Sequence, residues 1–318
     1  MIQLIPYCRS ALWGGNRLKP LFAEAQDLPN LAEAWLFSVC PEQESLAEHT
    51  PLSDWLLAQG YHHLLSKLPL VKLLDTASLL SVQVHPNDEQ AERLEGKPCG
   101  KSEMWYILHA QEGAYIYHNL ECSKAEFLLA LEQKQPTKAL KKHYVKAGEV
   151  YMIPAGMVHA LGGGITLLEI QQSSDTTYRL WDYERKDDAG NLRPLHIEKA
   201  TEVLRPFREA EIQAFQYAED AEKFSVTYHD ALSNVSTIAK TPLFRVDICE
   251  VSENKPCTFS TPKHPLAIIS LSDEGVAKNR NQTLALTFGA TLCVLPQDGE
   301  VNVSGEGRFA VVSMPCTI

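Results

Sequence analysis

The stretch whose reading decides the fold is SVQVHPND, Ser81 to Asp88. It alternates with the period of a β-strand and stops at Pro86. Val82 and Val84 fall on one face, and Ser81, Gln83 and His85 on the other. If the polar face is the inner one, a serine, a glutamine and a histidine lie inside the protein, where each polar atom needs a partner. Similar short runs recur along the chain. MWYILHA, AYIYHN, EVYMIP and ITLLEIQQ follow in the first half; FSVTYHD, FRVDICEV, LAIISLS, LTFGATLCVLP and FAVVSMP come after Lys223. Punctuated by Gly, Pro and Asn, they predict antiparallel sandwiches or barrels. Helix is expected over residues 50–77, where Leu57, Tyr61, Leu64 and Leu68 form a stripe behind a start at Ser53 and Asp54. A second helix is expected over residues 123–132, capped by Ser123.

The 318 residues, 45% of them apolar, suffice for two domains and a sizeable core. A formal charge of −11 argues against nucleic acid or an anionic membrane as the main partner. No apolar run reaches the ~20 residues of a membrane span. The opening MIQLIPYCRSALWGG lacks a basic region followed by a long apolar run. A cytoplasmic location is therefore expected. None of the eight cysteines forms a C-x-x-C pair, so reduced core or surface thiols are expected rather than a cysteine metal site. Residues 198–224 are charged and partly helical and read as a bridge. The expected division is a larger first domain with helical insertions over residues 1–222 and a smaller C-terminal β domain over residues 223–318.

Two further segments carry chemistry. In GKSEMWYIL, from Gly100, the residues Glu103, Trp105 and Ile107 share one strand face. A carboxylate at the head of an apolar strand needs a cation or a proton if it is buried. GEVYMIPAGMVHALGGG, from Gly148, reads as a strand, a tight turn at Pro154, Ala155 and Gly156, and a new strand reaching His159. Two histidines and a carboxylate on short neighbouring strands form a common ligand set for a divalent metal with an open position. The spacing in GEVYMIPAGMVH fits the second cupin motif. QVH followed by Glu103 resembles the first, with glutamine in place of its first histidine and a much longer gap to the glutamate. The asparagine usual after the second motif is replaced by Gly162, Gly163 and Gly164.

A narrower resemblance accommodates these departures. SVQVHPND, GKSEMWYIL, IPAGMVHAL and LLEIQQSSDTTYRLWDYER together resemble type I mannose-6-phosphate isomerases in their short bacterial form. ALWGGNRL and EAWLFS are similar to that family too, so the likeness spans residues 11–198. The resemblance implies a mainly β fold of two cupin-like jelly-roll barrels with helical insertions in the N-terminal part. It implies one zinc ion per chain held by Gln83, His85, Glu103 and His159. It further implies that Ser81 and Lys101 hold a substrate phosphate, that Arg179 is an active-site arginine, and that Glu169 is a candidate base or proton shuttle. The implied activity is interconversion of mannose 6-phosphate and fructose 6-phosphate by proton transfer between C1 and C2. The implied partner is a small sugar phosphate, in a monomer or weak homo-oligomer. Two other classes share the ligand set: an Fe(II)-dependent cupin oxygenase and a non-catalytic sugar-phosphate-binding cupin. The glutamine and the arginine motif weigh against the first, and the intact metal and arginine positions against the second.

Overall fold

Val82–Val84 is one strand of a five-stranded antiparallel sheet. The strand order is Leu140–Tyr144, Tyr115–Leu120, His159–Leu161, Val82–Val84 and Tyr178–Trp181. Val82 and Val84 are fully buried in a cluster with Phe127 of the helix Lys124–Glu132 and Ala200 of the helix Ile197–Val203. Ser81, Gln83 and His85 therefore point the other way. The strands Val150–Ile153, Glu103–Ala110, Ile165–Gln172, Pro69–Thr76, Glu33–Phe37 and Tyr7–Arg9 follow one another in a second, six-stranded sheet. The C-terminal strands join a twelve-stranded sheet whose core includes Phe259, Ile268, Leu292, Phe309 and Val311. This is a mainly β, antiparallel architecture consistent with a cupin-like fold.

The computed structural model describes residues 1–186, 190–218, 224, 226–229, 234–261 and 263–315. The chain forms two compact units. One comprises Met1–Tyr7, Trp35–Val71 and Ala214–Ile318; the other comprises Cys8–Ala34 and Lys72–Gln213. The boundary expected between residues 222 and 223 lies outside the described residues. Residues 35–71 group with the C-terminal strands rather than with a contiguous first domain. The reason is strand pairing: Leu46 and Ala47 pair with Ile5 and Leu4, and Ile2–Ile5 pairs in turn with Thr291–Val294. Among the described residues no helix is long and apolar enough to cross a membrane. The seven described cysteines are free.

The helix expected over residues 50–77 is four elements, the first of them the two-residue strand Thr50–Pro51. Leu52–Ala58 is helical, His62–Lys67 is a 3₁₀ turn, and Pro69–Thr76 is a strand buried along its whole length. An apolar run buried on both faces has no alternation by which to tell strand from helix. The inward side of the helix carries Leu52 and Leu56, while Leu57 is exposed. The helix Lys124–Glu132 starts as expected, with Ser123 and Glu126 forming a reciprocal capping box. A helix at Asp88–Glu95 was not anticipated. It opens on the same device, Asn87 with Gln90, and ends at Gly96 with φ +65°.

Gly162 to Gly164 mark a place where backbones pass at close range. The Gly162 N–H donates to the Tyr115 carbonyl at 2.9 Å, and a Cβ on Gly162 would lie 2.2 Å from that oxygen. A Cβ on Gly163 would lie 2.7 Å from the Ala77 carbonyl oxygen. Both obstacles are backbone, which cannot swing aside. Gly162→Ala is therefore expected to lower stability by about 2 kcal/mol or more. A urea titration checks this, and an unmoved midpoint would contradict the close approach.

Candidate active site and metal centre

Three backbone links stitch the sequence motifs together. The Gly156 N–H of the Pro154 turn donates to the His85 carbonyl at 2.9 Å, and the Lys101 N–H donates to the Pro86 carbonyl at 2.9 Å. The Ala155 N–H donates to Ser102 Oγ at 3.0 Å. Gly100 permits this closeness, since a Cβ there would lie 2.4 Å from the Pro86 carbonyl oxygen. Strand register completes the arrangement. His159 pairs with Gln83 on one side of the Val82–Val84 strand, and Arg179 pairs with Gln83 on the other. On the facing sheet Gln171 pairs with Glu103, and Glu169 pairs with Trp105.

His85, Glu103 and His159 converge as expected: one ligand atom from each lies within 4.8 Å of the others, and all three residues are buried. His85 Nδ1 lies 3.0 Å from the Thr176 carbonyl and His159 Nδ1 lies 2.9 Å from the Met157 carbonyl. Each Nδ1 thus carries the hydrogen and donates it, which leaves both Nε2 atoms as acceptors. Those lone pairs face Glu103 at 3.5 Å and 3.4 Å. Burial, helped by the Lys101 charge, holds both imidazoles neutral: His85 sits well below its ordinary value and His159 is lowered to about 3. Burial likewise pushes Glu103 up to about 7, against the pull of Lys101. Three acceptors that point at one another repel unless positive charge lies among them, and the Lys101 ammonium meets only His85 Nε2 and Glu103 Oε2. Glu103 Oε1 is moreover buried without a hydrogen-bond partner. The residues therefore fit a divalent ion, with nitrogen and oxygen donors of the type zinc takes. Gln83 adds its amide, 3.3 Å from His159 Nε2.

Lys101 does not stand apart as a surface charge. Its side chain is buried, and its ammonium donates to Glu103 and lies 3.1 Å from His85 Nε2. Ser81 is also buried, with its hydroxyl 3.4 Å from Gln83 Oε1. Glu169 is buried and accepts from Trp105 Nε1 at 3.1 Å. Burial disfavours its charge, but Lys72, Lys101 and the Trp105 hydrogen bond outweigh burial and lower its pKa. Arg179 is half-buried; its Nη1 donates to the Pro194 carbonyl at 2.9 Å, and its Nε has no partner.

Sequence reasoning missed Lys72 and Glu33. Lys72 is buried in the Pro69–Thr76 strand, with its ammonium 3.3 Å from Glu169 and 3.8 Å from Glu33. Glu33, in the EAWLFS stretch, is 3.2 Å from the partly exposed Arg9. A line of alternating charge thus runs inward through Arg9, Glu33, Lys72 and Glu169. The available signal was a single charged residue inside the apolar run PLVKLL.

Fold and site together define a cupin-like protein with a buried His–Glu–His set suited to a divalent cation. Comparison with known proteins narrows the class. The profile of the phosphomannose isomerase type I catalytic domain matches residues 1–143. "Mannose-6-phosphate isomerase ManA" of Bacillus subtilis (strain 168) is 38% identical over 209 residues, 63% of this chain and 66% of that protein. "Probable mannose-6-phosphate isomerase GmuF" of the same organism is 38% identical over 211 residues, 63% of this chain and 67% of that protein. The matches thus span about two thirds of each relative's length. The crystal structure of the Bacillus subtilis mannose 6-phosphate isomerase superposes with a TM-score of 0.83 at 25% identity, covering 98% of both chains. The chain belongs to the type I phosphomannose isomerase family.

Removing Lys72 would strand the Glu169 carboxylate. Lys72→Met is expected to cost about 3 kcal/mol near neutral pH. The depressed Glu169 pKa stabilises the fold above the ordinary carboxylate range, and that contribution is lost as pH falls through the folded-state value. The gap between wild type and variant should therefore narrow from about pH 7 toward about pH 3. Urea unfolding of both proteins in chelator measures it; a gap that widens on acidification would contradict the pairing.

Proposed function

We propose that this chain is a zinc-dependent aldose–ketose isomerase that interconverts mannose 6-phosphate and fructose 6-phosphate. The observation that carries the reading is the convergence of the two acceptor Nε2 atoms and the Glu103 carboxylate on one point, with Glu169 and Arg179 on neighbouring strands. Gln83, His85, Glu103 and His159 would hold one zinc ion. When bound, zinc supplies a Lewis-acid charge for the sugar carbonyl and for the negative charge that develops on its oxygen.

The rest of the chemistry falls to side chains of this chain. Isomerisation removes the proton alpha to the carbonyl, passes through an enediol, and returns a proton to the neighbouring carbon. Glu169 serves as base and then as acid. It is ionised at neutral pH, and Trp105 and Lys72 hold its carboxylate in one place. As it takes up the proton, the Lys72 ammonium next to it gains a spare hydrogen-bond donor and favours return of that proton. Arg179 places a fixed guanidinium beside Gln83, where charge appearing in the transition state can be met. Ser81 presents a hydroxyl to the substrate phosphate. Lys101, whose ammonium lies beside His85 and Glu103, supplies positive charge for the sugar phosphate.

The test is turnover of mannose 6-phosphate by purified protein in a coupled isomerase assay, with metal analysis alongside. His159→Ala is expected to lose most of the bound zinc and nearly all activity, because three remaining ligands bind far more weakly. Full zinc content in that variant would sink the ligand assignment. Arg179→Ala should keep its zinc and lose on the order of 10²–10³ in kcat. A near-normal kcat would remove Arg179 from the catalytic groups.

A further inference from the structure

The strand Tyr178–Trp181 is the last in its sheet, so one of its edges faces the strand Val82–Val84 and the other faces none. At Arg179 that second edge is closed by a single residue. The Arg179 N–H donates to His196 Nδ1 at 3.0 Å, and the His196 N–H donates to the Arg179 carbonyl at 2.8 Å. His196 thus takes the place of a further strand, with an imidazole nitrogen where the neighbour's carbonyl oxygen would stand. Without it the N–H of a half-buried residue would lose its acceptor. The same segment also holds the side chain, since Arg179 Nη1 donates to the Pro194 carbonyl at 2.9 Å. Arg179 Nε is buried and has no partner among the described residues.

His196 makes these bonds instead of one that its position favours. It is the N-cap residue of the helix Ile197–Val203, where Ser, Thr, Asp or Asn normally accepts from an N–H of the first turn. The His196 side chain makes no capping bond. It turns back to the sheet, while its neighbours Leu195 and Ile197 are exposed. The Tyr178 ring lies beside the imidazole, with 6.3 Å between ring centroids. Accepting at Nδ1 requires a neutral ring with its hydrogen on Nε2. Burial and the charges of Arg179 and Lys199 lower the His196 pKa, against the pull of Glu95, and so favour that neutral form.

We infer that His196 is a positioning residue for the isomerisation: it fixes the backbone of Arg179, and with it the direction in which the guanidinium meets charge developing on the substrate. The inference rests on the reading of the chain as an isomerase with Arg179 in its active site. A misplacement of about 1 Å at a catalytic group can cost on the order of 100-fold in rate. A guanidinium on a long side chain is exposed to such errors. Two backbone bonds and the Pro194 carbonyl remove that freedom and leave Nε to donate.

The experiment compares zinc-loaded wild type, His196→Ser, His196→Asn, Arg179→Ala and the combination of His196→Ser with Arg179→Ala. Serine can cap the helix, but its short hydroxyl does not reach the Arg179 N–H; asparagine carries an oxygen where Nδ1 stands. His196→Ser should lower kcat for mannose 6-phosphate about 10-fold and leave KM within about threefold. His196→Asn should recover most of that loss. In the Arg179→Ala background His196→Ser should cost nothing further, because both changes act through one group. Hydrogen exchange of the Arg179 amide, followed by NMR, should quicken in His196→Ser and return toward wild type in His196→Asn. Wild-type kcat in His196→Ser would overturn the inference and leave the isomerase reading standing. An undiminished loss in the Arg179→Ala background would overturn it as well. If wild type did not turn over mannose 6-phosphate, the isomerase reading would fail, and the Arg179 exchange rates would still decide whether His196 holds that strand. If His196→Ser did not fold, His196→Gln, whose amide oxygen reaches to the place of Nε2 rather than Nδ1, would stand in for it in every measurement.

Discussion

A fully buried carboxylate, Glu103, lies between two imidazole nitrogens, and it is tolerable only with positive charge close by, of which the Lys101 ammonium supplies part. Desolvating a carboxylate costs several kcal/mol even after relaxation, and two neutral nitrogen acceptors add repulsion rather than relief. Much of the local construction serves to hold this conflict in place. Each imidazole is fixed by a backbone carbonyl at its far nitrogen, which sets its tautomer and direction. Gln83 is flanked by register partners on both sides. The turn at Gly156 and the strand head at Lys101 are pinned to the same short stretch, His85 and Pro86.

The line of Arg9, Glu33, Lys72 and Glu169 obeys the same economy. Each inner member is buried, and each is tolerable only because its neighbours carry the opposite sign. Replacing such a chain by well-packed apolar residues is often neutral or stabilising. The retention of Lys72 between the leucines and valine of its strand is better understood through the carboxylate at its inner end. Without Lys72, burial would drive Glu169 toward its neutral form; with it, the carboxylate is charged and its oxygens are directed.

The fold class and the convergence of His85, Glu103 and His159 were legible because they depend on local pattern and short spacing. SVQVHPND alternates, GKSEMWYIL opens with a carboxylate on an apolar strand, and the turn around Pro154 delivers His159. Each of these is a statement about a few consecutive residues. The losses came where burial on both faces erased the alternation. Pro69–Thr76 is such a strand, and taking it for helix hid Lys72 inside a supposed amphipathic face, although the cost of a lone buried charge would have flagged it. Asp88–Glu95 was missed for the opposite reason: its surface is mostly polar and only Ala91 is buried, so the capping pair Asn87 and Gln90 was its one signal. The grouping of residues 35–71 with the C-terminal strands depends on pairing between distant segments, which no local pattern encodes.

The helix Asp88–Glu95 occupies the long gap between His85 and Glu103 that sets this chain apart from the usual cupin spacing. Both ends of that gap are tied down independently of its contents, Pro86 to Lys101 and Asp88 to the Gly100 N–H. The intervening chain leaves and returns at a fixed point, so its length is decoupled from ligand geometry. Loop-closure entropy grows only slowly with length, by about 0.6 kcal/mol per doubling. Evolution, or a protein engineer, therefore has a free parameter here. Residues can be added beyond the left-handed turn at Gly96, or a reporter peptide grafted there, while the distances among the metal-binding atoms stay as they are.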